Sequence, residues 1–188
     1  IENRAFAGAR YMTSARIPQS VHSIGESVFS GCRSLERMDI PGSIKTVPAD
    51  TLFGCAALKE LSIGSGIQTI GRRAFGGCTA LESVRIPDGV TELDAMAFMG
   101  DSELVSAYIP ESVKIIGAEA FARCGKLRTI SLPDGIEDIG AAAFSGCAAL
   151  AEKDGFVMIG DVCCGYIGDG SSITVPYKAC LLYTSDAA

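Results

Sequence analysis

Cysteine offers the densest potential chemistry in this chain. Cys32, Cys55, Cys78, Cys124 and Cys147 recur at multiples of 23 residues. A zinc site wants paired ligands a few residues apart, as in C-x-x-C, and here each interval supplies one. The same position holds Ala9 at one end and Asp101 in the middle. A position that accepts alanine fits a small, half-buried packing place better than a ligand, and free cysteine is among the most buried residue types. If successive intervals stack at ~5 Å, the Cα atoms fall within disulfide range. Bridging of Cys32 with Cys55, or of Cys55 with Cys78, therefore stays open. Cys163 and Cys164 are adjacent in an apolar run, where strand alternation would aim one inward and one outward.

Nucleophilic or acid–base catalysis finds little support. His22 is the only histidine, and the equivalent positions 23 residues apart hold Lys45, Gln68, Thr91, Lys114 and Glu137, a solvent-facing set. A Ser-His-Asp or Cys-His arrangement would rest on His22 alone. Neither G-x-S-x-G nor H-E-x-x-H occurs. Gly64-Ser65-Gly66 lacks the lysine and the helix of a phosphate loop and reads as a turn. Gly168 to Gly170 lacks the spaced acidic ligands that calcium requires. No catalytic residue, metal or cofactor is expected.

The elements behind these residues are set by one period. Ile24 to Thr46, Ile70 to Glu92 and Ile116 to Asp138 share one pattern, and a 23-residue repeat runs without insertion from Ile1 to Asp138. That gives six units, with a seventh beginning at Ile139. Position one is aliphatic throughout, from Ile1 to Ile139, and position six is Phe6, Phe29, Phe75, Phe98, Phe121 and Phe144, with Leu52 in the third unit. Position twelve is Met12 and then leucine. Each unit carries L-x-x-h-x-h-P (h, apolar), as in Leu35 to Pro41. Alternating apolar places predict a short strand, and proline ends it because it cannot donate to a ladder. The A-F-x-G segment predicts one short helical turn, stopped in a left-handed conformation by Gly31, Gly54, Gly77 and Gly146. A second apolar pair, such as Val90 and Leu93, predicts a second short strand. One 23-residue unit cannot bury its own apolar side chains, but stacked units can. The expected fold is an α/β repeat solenoid with a parallel sheet and short helical turns.

Bulk properties agree. Of 188 residues 48% are hydrophobic and 20% charged, a composition able to form a continuous core. The net charge of −6 is spread without a basic patch, which argues against nucleic-acid binding. No apolar run approaches the ~18 residues of a membrane span.

The pattern I-G-x-x-A-F-x-G-C-x-x-L-x-x-h-x-I-P-x-x-V resembles the BspA-like, Treponema-type leucine-rich repeat over Ile1 to Leu150, with departures at Ala9, Val47-Pro48 and Asp101. The resemblance implies a secreted or surface-anchored bacterial protein engaged in adhesion to host, extracellular-matrix or cell-surface proteins.

The period breaks after Leu150. Residues 155–159 and 162–167 read as two strands around a Gly160-Asp161 turn, a β-hairpin insertion across 151–170. Ser172 to Pro176 resumes the strand-then-proline signature, so 171–179 reads as the start of a further repeat. Cys180 to Ala188 matches a translated reading frame of a sequencing-library adapter and is expected to lie outside the fold. The chain opens at Ile1 in mid-pattern, without a basic-then-apolar leader, and is expected to be cut from something longer.

A partner is expected on the outward side of the first strands, at positions thirteen, fourteen and sixteen. These vary freely from unit to unit while the core positions do not. The candidates are Arg16, Arg37, Asp39, Glu60, Arg85, Tyr108 and Arg128. Arg37, Arg85 and Tyr108 stand out because arginine and tyrosine are favoured interface anchors. The expected function is non-enzymatic recognition of a protein ligand by a monomeric module. The alternatives are a spacer that projects another domain and a repeat region attached to an enzyme domain elsewhere.

Overall fold

A computed structural model describes residues 1–151, 156–159 and 162–166. The sequence repeat becomes a stack of coils with two parallel sheets. The first-strand series is β1 (Ser14–Arg16), β2 (Arg37–Ile40), β4 (Glu60–Ile63), β6 (Ser83–Arg85), β8 (Ser106–Tyr108) and β10 (Thr129–Ile130). The second series is β3 (Thr46–Val47), β5 (Thr69–Ile70), β7 (Glu92–Leu93), β9 (Ile115–Ile116) and β11 (Asp138–Ile139), one unbroken sheet. Every pairing joins residues 23 apart, as in Arg37 with Glu60 and Thr69 with Glu92. Within β2 the side chains alternate as the sequence predicts: Met38 and Ile40 are buried, and Arg37 and Asp39 face out.

Identical side chains thereby stack on themselves along the coil axis. The phenylalanine rings of position six lie 5.2 Å apart between Phe75 and Phe98, and 5.2 Å between Phe98 and Phe121, in offset stacks that aromatic rings favour. Leu52 fills the third unit's place and is fully buried.

The short helical turns are not what the A-F-x-G segment forms, and the α component of the expected fold goes with them. Among the described residues the one helix is a single 3-10 turn, Ala148–Leu150. The hydrogen bonds give the reason. At positions four, six and eight the amide donates to the following unit: Asp50 to Arg72, Leu52 to Ala74 and Gly54 to Gly76, at 2.7–2.9 Å. The intervening amides close three-residue turns, as in Phe53 to Asp50. Half the amides are thus committed to a neighbour, so no i to i−4 ladder can form. Positive φ at position four (Asp50, 57°) and position eight (Gly54, 73°) also breaks any helical run. The expected left-handed glycines are indeed left-handed: Gly31, Gly54, Gly77 and Gly146 lie at φ 71–76°. They end turns of an inter-unit ladder, however, and not helices.

The first-strand sheet is split. One part runs β1-β2-β4 and the other β6-β8-β10, with no pairing between β4 and β6. Near the other junctions a position-thirteen amide reaches the carbonyl of the preceding unit, as Lys59 does to Glu36 and Val105 to Glu82. Glu82 and Ser83 make no such bond to Lys59. Most Cα pairs between β4 and β6 lie more than 8 Å apart. The other two ladders stay closed here, through Thr69 with Glu92 and Leu52 with Ala74, so the opening is a wedge on one side. The split falls beside the third unit, where Gly64 replaces the proline of position eighteen. Its loop is drawn onto the second unit: a Cβ on Gly64 would fall on the backbone nitrogen of Gly42, and one on Gly66 on the Gly42 carbonyl oxygen. Only glycine permits such approach.

Beyond the repeats, β12 (Phe156–Ile159) and β13 (Val162–Tyr166) pair antiparallel as the expected hairpin, with a register shift between Val157 and Met158. The side chains of Cys163 and Cys164, the Gly160-Asp161 turn and everything expected of residues 167–188 lie outside the described residues.

Candidate partner-binding face

The outward side chains of the first strands meet their counterparts one unit away, because register places equal positions side by side. Position sixteen pairs Arg16 with Asp39 at 3.4 Å, and position fourteen pairs Arg37 with Glu60 at 3.1 Å. Position thirteen pairs Lys59 with Glu36 at 3.8 Å. Position sixteen then sets the Arg85 guanidinium over the Tyr108 ring, 4.0 Å from its centroid. Exposed ion pairs contribute roughly 0.2–1 kcal/mol, and an exposed cation–π contact about 0.5–1 kcal/mol. These contacts therefore do little for stability, but they hold long side chains in fixed positions on an open face.

Five of the seven predicted residues line one depression of about 680 Å³: Arg16, Arg37, Asp39, Glu60 and Arg85. Tyr108 supports Arg85 from beyond its rim. Arg128 is not brought to it; it is exposed further along the stack, with no ion pair among the described residues. Lys59, Ser62 and Ser83, at the outward positions thirteen, sixteen and fourteen, also line the depression, and so does Leu61 from position fifteen, which the strand alternation assigns to the core. Ala15 and Met38, at position fifteen of paired strands, line it as well. The sheet parts between β4 and β6, beside the unit whose proline column holds Gly64. The lining carries four cations (Arg16, Arg37, Lys59, Arg85) against two carboxylates (Asp39, Glu60), on a chain of net charge −6. Arg16, Arg37 and Lys59 each have an acidic partner, whereas the described contact of Arg85 is the tyrosine ring.

The cysteines lie elsewhere, and their place corrects the half-buried reading. All five of position nine are buried free thiols. Each S–H donates to the position-six carbonyl of the preceding unit: Cys32 to Phe6 at 3.1 Å, Cys55 to Phe29 at 3.2 Å, Cys147 to Phe121 at 3.0 Å. Burial pushes the Cys55 thiol up to about 12, and raises Cys32 and Cys78 as well. Interaction with the neighbouring Cys147 thiol, and then burial, raise Cys124, and the same interaction lowers Cys147. Asp101, in the same column, is buried too and is pushed well above the ordinary carboxylate range by desolvation. His22 is exposed, as its column predicts. Among the described residues no group of three or more His, Cys, Asp or Glu side chains is arranged to hold a metal ion. Nor is any helix among them long and apolar enough to cross a membrane.

A parallel coil stack with buried leucine and phenylalanine columns, laid out on a 23-residue period, defines a leucine-rich-repeat solenoid. The family model for the BspA type leucine rich repeat region matches residues 1–104 and 92–154, and the chain belongs to that family. It is similar to a solved leucine-rich repeat protein of Bacteroides ovatus at 35% identity and TM-score 0.75, covering 80% of this chain and 40% of that one. It is also similar to the Treponema pallidum leucine-rich repeat protein, at 29% identity and TM-score 0.77, over 81% of this chain and 71% of that one. A leucine-rich cell surface protein of Faecalibacterium prausnitzii is 31% identical with TM-score 0.61, over 64% of this chain and 33% of that one. This chain thus spans less than half the length of the Bacteroides and Faecalibacterium proteins. Comparison with curated proteins gave no match.

Proposed function

We propose that this chain is a non-enzymatic recognition module of a bacterial surface or secreted protein, and that it binds a protein ligand as a monomer. The binding surface is the outward face of β1, β2, β4 and β6. The observation that carries the reading is the depression lined by Arg16, Arg37, Asp39, Glu60 and Arg85, whose long side chains are already positioned by contacts one unit away. Ordering such side chains costs about 0.5–1.5 kcal/mol each on binding, and a face that is ordered beforehand avoids part of that cost. The described cell-surface character of the Faecalibacterium protein supports the location.

The test is simultaneous Arg37→Ala, Arg85→Ala and Tyr108→Ala substitution, followed by binding to immobilised extracellular-matrix and cell-surface proteins. Thermal unfolding should be little changed, since the three side chains are exposed. Binding should fall by tenfold or more. Binding equal to that of the unsubstituted protein removes this face from consideration.

A further inference from the structure

We propose that the split between β4 and β6 is a receptor for an extended peptide segment of alternating apolar and acidic residues, which enters the sheet as an added strand. The inference deepens the proposed recognition function and rests on it for the choice of face. Three independent features support it.

The first is geometry. Paired strands lie ~4.8 Å apart, so a gap that admits one more strand spans roughly two such spacings. Most β4–β6 Cα pairs exceed 8 Å, while the ladders on the other two sides stay closed. The second is unmet backbone bonding. The amides of Glu82 and Ser83 lack the carbonyl partner that Val105 and Ser106 find one unit on. An edge of free main-chain groups is what an added strand satisfies. The third is side-chain chemistry on both faces of the gap. Toward the core, Leu61 and Ile63 are only half-buried, although Met38 and Ile40 at the same positions are 2% and 1% exposed. An apolar side chain from the guest would cover them. Toward solvent the rim is cationic in excess, and Arg85 is held over Tyr108 with no acidic partner described. Stacking occupies the guanidinium face and leaves its N–H edge to meet a carboxylate in a two-pronged bond. An inserted strand alternates its side chains between these faces, so the guest should read apolar, acidic, apolar, acidic.

The probe is a capped, fluorescein-labelled Val-Asp-Val-Glu-Val-Asp-Val peptide, with a Val-Lys-Val-Lys-Val-Lys-Val control and a third version N-methylated at alternate amides. Binding to the full chain is read by anisotropy, and backbone protection by hydrogen exchange. The acidic peptide is expected to bind at least tenfold more tightly than the other two. Exchange at Glu82 and Ser83, faster than at Val105 and Ser106 in the free protein, should slow when the peptide is bound. Arg85→Ala should weaken the acidic peptide about tenfold. Equal binding of acidic and basic peptides, or insensitivity to N-methylation, overturns strand insertion. So does binding without protection at Ser83, or no binding at millimolar peptide. Those results leave the outward face intact as a recognition surface, which the matrix-protein assay reads separately.

Discussion

The Asp101 carboxylate accepts the backbone N–H of Cys78 through Oδ1 at 2.8 Å, 23 residues away, from a position with no solvent exposure. Its other oxygen, Oδ2, has no hydrogen-bond partner. It occupies the column where five other units place a thiol that donates to a carbonyl. Asp101 can supply a donor there only with a proton on it, and desolvation favours that form. A carboxyl whose folded pKa lies above its ordinary 3.8 stabilises the fold fully below that value, and the contribution is lost as pH rises through the folded pKa. Asp101→Cys should therefore stabilise the protein at pH 7 by at least about 1 kcal/mol, the low end of the cost of a buried unsatisfied group. For a chain of this size that is roughly 2–4 °C in Tm. The difference should shrink toward pH 4. Melting curves of both proteins from pH 4 to 8 check it; a Tm difference independent of pH would mean that Asp101 is ionised in the fold.

Arg123 sits at φ 64° in position eight, where the other six units have glycine at φ 70–80°. A side chain in the left-handed region costs roughly 1–2 kcal/mol, partly offset by the freedom glycine loses on folding. Arg123→Gly should raise the urea midpoint by the equivalent of about 0.5–1 kcal/mol. Gly100→Ala should lower it by a similar amount, because an added Cβ there meets nothing within 4 Å and only the backbone angle is penalised. Changes of the same sign in both variants would show that position eight is not governed by φ.

The thiols of position nine should resist alkylation while the protein is folded. Only the thiolate attacks, and Cys55 at about 12 is almost wholly protonated at pH 8. Iodoacetamide labelling mapped by mass spectrometry should leave Cys32, Cys55, Cys78 and Cys124 unmodified in the native protein, and Cys147, whose pKa its Cys124 neighbour lowers, should be shielded by burial alone. All five should be modified after unfolding without reductant. Fewer modified positions would reveal bridged pairs. The raised pKa also carries a pH dependence. The stability from Cys55 is whole below the ordinary thiol value of 9.0 and falls as pH rises toward 12. Alkaline unfolding titrations should show this loss, and Cys55→Ser should remove that part of it.

Gly64→Pro would restore the residue that the other units carry after the first strand. It should destabilise the protein by about 1–3 kcal/mol, the usual cost of forcing atoms into occupied space, because the new side chain meets the Gly42 backbone. Chemical denaturation measures this directly. A stabilised variant would mean that the third-unit loop can withdraw from Gly42.

Much of this molecule is legible in its sequence because the packing rule is local and repeated. The 23-residue period fixes which side chains face inward, so the leucine, phenylalanine and isoleucine columns, the in-register strands and the exposure of His22 all follow from it. The tertiary structure decided what depends on a partner in another coil. The A-F-x-G segment reads as helical in isolation, yet its alternate amides bond to the next unit. Cys55 reads as a half-buried filler, yet its thiol donates to Phe29 26 residues away. Arg37 and Glu60 read as separate surface charges, and register makes them a pair at 3.1 Å. Gly64 reads as a lone exception to a proline column, and only the fold shows its loop packed on Gly42 and the sheet open between β4 and β6. Periodicity specifies the direction in which a side chain points. Which hydrogen bond it completes, and which strand edge stays open, depends on the distance between coils.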